Sequence, residues 1–316
     1  MKKILIQLLF VLIILYAKEV NAQGSNDSVY IFSYFKNNGQ DGLHLAYSYD
    51  GLDWKPLFGD TSILMPVLSK DKLMRDPCVI RGGDGKFHMV WTVSWNDKGI
   101  GYASSPDLLH WSKQKYLPVM EKEPTTRNAW APEITYDADK KKYVIYWAST
   151  IPDRFALKDT AAEREYNHRM YYTTTKNFKK FDKVKLLYDP GFSIIDASIQ
   201  NDGNQYVMFL KNETKAPVEK NIRVAYSKKL IGPYSEPSKP ITGKYWAEGP
   251  TAINKGGAWI VYFDKYTLHQ YGAVTSNDLI NWTDISSKVH FPAGARHGTV
   301  VVISGKEFQT LTTVKK

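Results

Sequence analysis

Short apolar runs alternate with polar turns along almost the whole chain. The clearest unit runs from Arg75 to Trp111. A strand-like run, Cys78-Val79-Ile80, leads to a polar turn at Gly82-Gly83-Asp84-Gly85. Phe87 to Thr92 reads as a second strand and Ile100 to Ala103 as a third. Ser104 to Trp111 closes the unit as a polar hairpin ending on an aromatic residue. Runs of this length bounded by Gly, Asp and Pro predict strands and not helices. The unit predicts one four-stranded antiparallel sheet.

The unit recurs, and repeats decide the fold reading before any other signal. The closing segment returns as Ser48-Tyr49-Asp50-Gly51-Leu52-Asp53-Trp54 and as Ser276-Asn277-Asp278-Leu279-Ile280-Asn281-Trp282. Phe181 and Tyr234 end two looser copies, at 175–181 and 227–234. The opening segment recurs at Asp76-Pro77, Ala131-Pro132, Asp196-Ala197, Gly249-Pro250 and His297-Gly298, spaced 48 to 65 residues apart. Five four-stranded sheets stacked radially predict an all-β, five-bladed β-propeller. Complete blades are expected over 75–115, 130–184, 194–236 and 247–285. The strands at Val29–Phe35 and Leu43–Tyr47 lack an opening strand, and Arg296–Ile303 lacks followers. Pairing these N-terminal strands with the C-terminal strand closes the ring and removes two free sheet edges. An insertion at Thr150–His168, with a short helix expected at Asp159–Arg164, is long enough to serve as a binding loop.

Composition narrows the class. At 316 residues the chain suits one large all-β domain. Residues 1–22 read as a secretory signal peptide: Lys2 and Lys3, an apolar stretch from Ile4 to Tyr16, then Val20-Asn21-Ala22. That leaves residues 23–316 as a single propeller domain, exported to the periplasm or the extracellular space and, once the signal is cleaved, not bound to a membrane. Cys78 is the only cysteine, so no internal disulfide forms, and its apolar neighbours make it core filler. The net charge is +10. The basic residues are scattered over turns, which excludes a nucleic-acid-binding stripe and reads as a solvated surface. A monomer is expected.

The first strand of each blade lines the central channel, so polar residues at its entry meet at one mouth. The five entries deliver Asp76, the Trp130/Glu133 pair, Asp196, Glu248 and the Arg296/His297 pair. Asp before Pro is also a common turn starter. Glu248 before Gly249-Pro250 is harder to explain as turn chemistry. Asp196 stands among apolar neighbours, where burial raises a carboxyl pKa unless it is paired. Trp95, Trp130, Tyr245 and Trp246 offer aromatic faces for a sugar.

These motifs resemble glycoside hydrolase family 43. The resemblance spans about residues 29–304 and rests on Arg75-Asp76-Pro77, Trp130-Ala131-Pro132-Glu133, Ile195-Asp196-Ala197, Glu248-Gly249-Pro250 and Arg296-His297-Gly298. It implies an exo-acting, inverting hydrolase that releases a furanose or pentose from an oligo- or polysaccharide: arabinofuranose, xylose or a galactose-type sugar. By the same resemblance Asp76 is the general base, Asp196 the group that tunes and positions the acid, and Glu248 the general acid. No cofactor is required for that chemistry. Family members often hold a metal ion, usually calcium, near a His of the fifth blade, which makes His297 a candidate ligand. Glu133 stands where many members show Asp. With Asp41, Trp95, Trp130, Trp246 and Arg296 it is a candidate substrate contact. Two alternatives remain: a carbohydrate-binding propeller without catalysis, and a retaining fructan-type hydrolase.

Overall fold

The computed structural model describes residues 28–156 and 166–313. The expected signal peptide and the short helix expected at Asp159–Arg164 lie outside the described residues. Strands β1 (Ser28–Lys36), β2 (His44–Ser48) and β3 (Lys55–Pro56) begin the chain. The next sheet holds β4 (Arg75–Arg81), β5 (Phe87–Thr92), β6 (Ile100–Ser105) and β7 (Lys115–Leu117). It is followed by β8 (Trp130–Asp137), β9 (Lys142–Ser149), β10 (Arg169–Thr175) and β11 (Lys185–Tyr188). Then come β12 (Ile194–Asn201), β13 (Tyr206–Asn212) and β14 (Asn221–Ser227). The fifth group is β15 (Glu248–Lys255), β16 (Ala258–Lys265), β17 (Gln270–Ser276) and β18 (Thr283–Asp284). Strand β19 (Ala295–Ser304) returns beside β1, with Ser28 opposite Ser304 and Lys36 opposite Ala295.

The inner strands β4, β8, β12, β15 and β19 each contact the next, and β19 contacts β4 again. That closed circuit makes the molecule a five-bladed propeller. Five apolar clusters fill the seams between neighbouring blades, among them the buried indoles of Trp91 and Trp147.

The repeated closing segment has a physical cause. In the copy at 105–111, the Asp107 carboxylate accepts the backbone N–H groups of Leu109 and His110, at 3.0 and 2.8 Å. Asp278 and Asn177 do the same in their copies. The residue after each turns left-handed: Leu108 at φ 69°, Phe178 at 56° and Leu279 at 62°. That conformation drives an apolar side chain into the seam, and the local carboxylate or amide offsets the backbone strain.

Two features differ from the expected pattern. The third complete blade has three strands, because Pro233, Pro237 and Pro240 deny its outer segment a regular ladder. Only Ser235, Ser238 and Ile241 donate from it to β14. A helix, α1 (Gly305–Thr313), follows β19 and packs Phe308 and Leu311 onto the first seam. Ser304 and Glu307 cap its start reciprocally.

Candidate active site

Every inner strand starts with a break in register. In β4 it lies between Arg75 and Cys78, in β8 between Trp130 and Glu133, in β12 between Ile195 and Ser198, and in β15 between Glu248 and Thr251. One residue in each of these four bulges is left-handed: Asp76 (φ 52°), Ala131 (43°), Asp196 (54°) and Gly249 (60°). Bulges re-aim side chains, and non-glycine residues held at positive φ cluster at functional sites. Asp76 and Asp196 are themselves the left-handed residues, while Trp130 and Glu248 immediately precede theirs. Gly249 admits no side chain, since a Cβ there would meet the His297 ring at 2.3 Å.

The bulges surround a cavity of about 330 Å³ at the channel mouth. Its wall includes Asp76, Asp196, Glu248, Arg296 and His297, with Trp95 and Trp130 on one side. The three carboxylates named from the sequence therefore share one chamber. Buried His297 directs Nδ1 to Asp76 Oδ1 at 3.3 Å and lies 3.9 Å from Asp196 Oδ2. Thr92 donates to Asp76 Oδ2 at 2.8 Å, and the Gly249 N–H donates to Asp196 Oδ2 at 3.1 Å. Glu248 is clamped between two cations. Lys211 donates to Oε2 at 2.9 Å and Arg296 to Oε1 at 3.2 Å.

These contacts push the ionisable groups apart. Burial opposes the charge on Asp76, but the His297 hydrogen bond and charge, with Arg75 and Thr92, outweigh it and hold the group at about 2. Burial raises Asp196 above the usual carboxylate range, and the nearby negative charges of Glu248 and Asp76 add to this against His297 and Lys211. Burial also disfavours the His297 cation, yet Asp196, Asp76 and Glu133 together lift it to about 9. The site thus presents an ionised Asp76 beside an imidazolium at neutral pH.

Trp95 and Trp130 stand in the wall as expected, with the Trp130 indole N–H donating to the Trp95 carbonyl at 2.8 Å. Three other candidates do not. Asp41 is turned away, because Leu43 pairs with Leu64 and the carboxylate meets His44 Nε2 at 2.9 Å. Glu133 lies past its bulge on the channel wall of a second cavity, where it accepts from the Cys78 thiol at 3.4 Å. Burial pushes it up to about 8. Trp246 opens into a separate cleft with Tyr245 and Val218, because the adjoining Ala247 N–H is tied to the Lys220 carbonyl. Its ring touches Tyr266, which does line the mouth.

A calcium ion finds a poor donor set here. Among the described residues no three or more His, Cys, Asp and Glu side chains gather to hold a metal. An imidazolium shared with two carboxylates is itself a poor ligand for a hard cation.

The sequence reading missed Lys211, Thr92, Asp264, Tyr166 and His168. Lys211 is buried, bridges Glu248 and Glu213, and lies 4.5 Å from the centre of the Tyr266 ring. Asp264 takes the other side of Arg296 at 2.5 Å. One signal existed: a Lys and an Asp at the ends of the apolar runs Tyr206–Leu210 and Trp259–Phe263 must be paired if buried. Tyr166 and His168 come from the C-terminal end of the insertion expected to bind over the mouth.

A family model described as a probable glycosyl hydrolase domain, of the group related to glycoside hydrolase family 43, matches residues 26–309. The chain belongs to this family. An alpha-L-arabinofuranosidase from Bifidobacterium longum subsp. longum is 25% identical over 195 residues, covering 52% of this chain and 18% of that protein. The chain therefore spans about a fifth of that relative's length. Among solved structures, a thermostable family-43 glycoside hydrolase superposes at TM-score 0.54 with 16% identity, covering 72% of this chain and 82% of that one. An alpha-L-arabinofuranosidase from Lactobacillus brevis gives 0.53 with 17% identity over 67% and 72% of the two chains. A family-43 β-1,3-galactosidase gives 0.51 with 13% identity over 70% and 79%. At these identities the likeness shows the shared propeller.

Proposed function

We propose that this family-43-related chain is an exo-acting glycoside hydrolase that inverts the anomeric centre and releases arabinofuranose or a related pentose or galactose-type sugar. The observation that carries this reading is the convergence of Asp76, Asp196 and Glu248 on one small chamber, with Asp76 ionised. Asp76 takes a proton from water as it attacks the anomeric carbon. Glu248 protonates the departing glycosidic oxygen. Asp196 accepts the N–H of Gly249, the residue after Glu248, and so holds the backbone that positions the acid. His297 and Thr92 fix the Asp76 carboxylate, and Lys211 and Arg296 fix Glu248. No step passes through a metal.

A chamber of about 330 Å³ is small for a ligand pocket and suits a terminal sugar better than the middle of a chain. The named arabinofuranosidase relatives favour arabinofuranose as the first sugar to try. Export through residues 1–22 would bring the chain to its polysaccharide. No helix among the described residues is long and apolar enough to cross a membrane.

A screen against nitrophenyl α-L-arabinofuranoside, β-D-xyloside, β-D-galactofuranoside and β-D-galactopyranoside tests the reading. Release of nitrophenol from at least one, abolished in Glu248→Gln, is expected. Sugar binding without turnover of any substrate would favour a binding module.

A further inference from the structure

His168 precedes β10 and forms part of the mouth wall. Its backbone is pinned, since its N–H donates to Ser193 Oγ at 3.1 Å and its carbonyl accepts from Ile194 and from the Arg169 guanidinium. Its ring is pinned as well. Tyr166 stacks on it with planes 5° apart, and Trp130 packs at 4.9 Å. Yet both ring nitrogens, Nδ1 and Nε2, are buried with no hydrogen-bond partner among the described residues, on a residue only 1% exposed. Buried side-chain nitrogens in native proteins are nearly always satisfied, and an orphan costs its full desolvation. An unpartnered nitrogen on an immobilised ring that lines the chamber is explained if its partner is the ligand.

We propose that His168 is a specificity-determining contact, whose imidazole exchanges a hydrogen bond with a hydroxyl of the sugar bound against Trp130 and Tyr166. The inference rests on the reading of the mouth as a sugar site. Burial is the main cause that keeps the ring uncharged; Glu213 opposes it, and the cations Lys211, Lys215 and Lys220 act in the same direction as burial. An uncharged imidazole offers a donor on one edge and an acceptor on another, and a hydroxyl, itself both donor and acceptor, can meet whichever of the two faces it. The aromatic neighbours hold the ring before the sugar arrives, so little ordering accompanies binding.

The test combines enzyme variants with modified substrates. His168→Phe keeps an aromatic ring in the stack and removes both nitrogens. His168→Gln restores a donor and an acceptor. The substrates are the best glycoside from the screen and its monodeoxy analogues. In the unaltered protein, one analogue loses about tenfold in kcat/KM for want of that hydrogen bond. His168→Phe shows about the same loss on the parent glycoside and little further loss on that one analogue. His168→Gln recovers part of it. Thermal melts check that each variant folds. Equal losses for His168→Phe on the parent and on every analogue, or no loss at all, would overturn the proposal.

Binding by titration calorimetry separates this result from the hydrolase reading. The free sugars and their deoxy forms are titrated into the unaltered protein and into His168→Phe. Without turnover of any glycoside, binding that weakens in His168→Phe only for sugars retaining that hydroxyl supports the contact while the hydrolase reading fails. Binding indifferent to residue 168 overturns the contact whether or not the protein is an enzyme.

Discussion

Glu248→Gln removes the proton donor and leaves the shape of the site. The structure predicts that its structural cost is modest. Lys211 keeps its ion pair with Glu213 at 2.8 Å, and Arg296 keeps Asp264 at 2.5 Å. Neither cation is stranded, so the loss is limited to weakened charge-assisted hydrogen bonds at one carboxyl, about 1–3 kcal/mol. The catalytic cost is larger. Removing a positioned general acid typically loses a factor of about 10²–10⁴ in rate. The assay compares kcat/KM on a nitrophenyl glycoside with that on the dinitrophenyl glycoside of the same sugar. The dinitrophenolate departs without a proton, so Glu248→Gln should retain much more of its activity there. A melt should show the variant folded within a few degrees of the parent. Equal losses on both substrates, with the fold intact, would refute Glu248 as the acid.

Lys211→Met removes a buried cation and leaves Glu248 with Arg296 alone and Glu213 with Lys220 alone. With no carboxylate left unpaired, the cost is that of lost charge-assisted hydrogen bonds, about 1.5–3 kcal/mol, which lowers Tm by roughly 2–5 °C for a chain of this length, measured by calorimetry; an unchanged melt would show that the clamp does not bear on stability. Two groups should contribute stability that is lost as pH rises, Glu133 between about 4.5 and 8 and His297 between about 6.5 and 9. Both titrate above their ordinary 4.5 and 6.5, so each holds more proton in the folded chain across its own window, while buried His168, held below its ordinary 6.5, acts in the opposite sense on the acid side. Glu133→Gln should flatten the lower part of the slope, in denaturant melts taken at steps of pH. Asp76, depressed to about 2 from 3.8, acts in the opposite sense, and its contribution is lost only as pH falls through that range. Truncation before Arg296 removes β19 and leaves β1 and β4 without their neighbour, so the product should aggregate or fail to melt cooperatively; a soluble, cooperative truncation would contradict ring closure.

The blades were legible because each repeats the same local chemistry. An Asp or Asn that caps its own turn, followed by a left-handed apolar residue and then an aromatic, leaves a recurrent string. The three carboxylates were legible because the inner strands share one bulge, which puts Asp76 and Asp196 at its left-handed position and Glu248 one residue before it. Position along the strand was harder to read. Glu133 lies two residues beyond the left-handed Ala131, and that offset carries it down the channel instead of into the mouth. Lys211 comes from a second strand and not from an inner one, so no repeat marks it. Tyr166 and His168 depend on how an insertion folds back, which periodicity does not encode. The helix after β19 did have a signal, Ser304 with Glu307 three residues on, but the expected ring ended one residue too early for it to be noticed.

The central claim is that water, activated by Asp76, attacks opposite a leaving group protonated by Glu248. Proton NMR of the first sugar released, recorded before mutarotation, tests it most directly. The account predicts the anomer opposite to that of the substrate. It also predicts that Asp76→Asn, a residue tolerant of the left-handed backbone at this position, folds normally and loses activity on nitrophenyl and dinitrophenyl glycosides alike. Release of a sugar with the substrate's own anomeric configuration would contradict the account and make one of the carboxylates a covalent nucleophile.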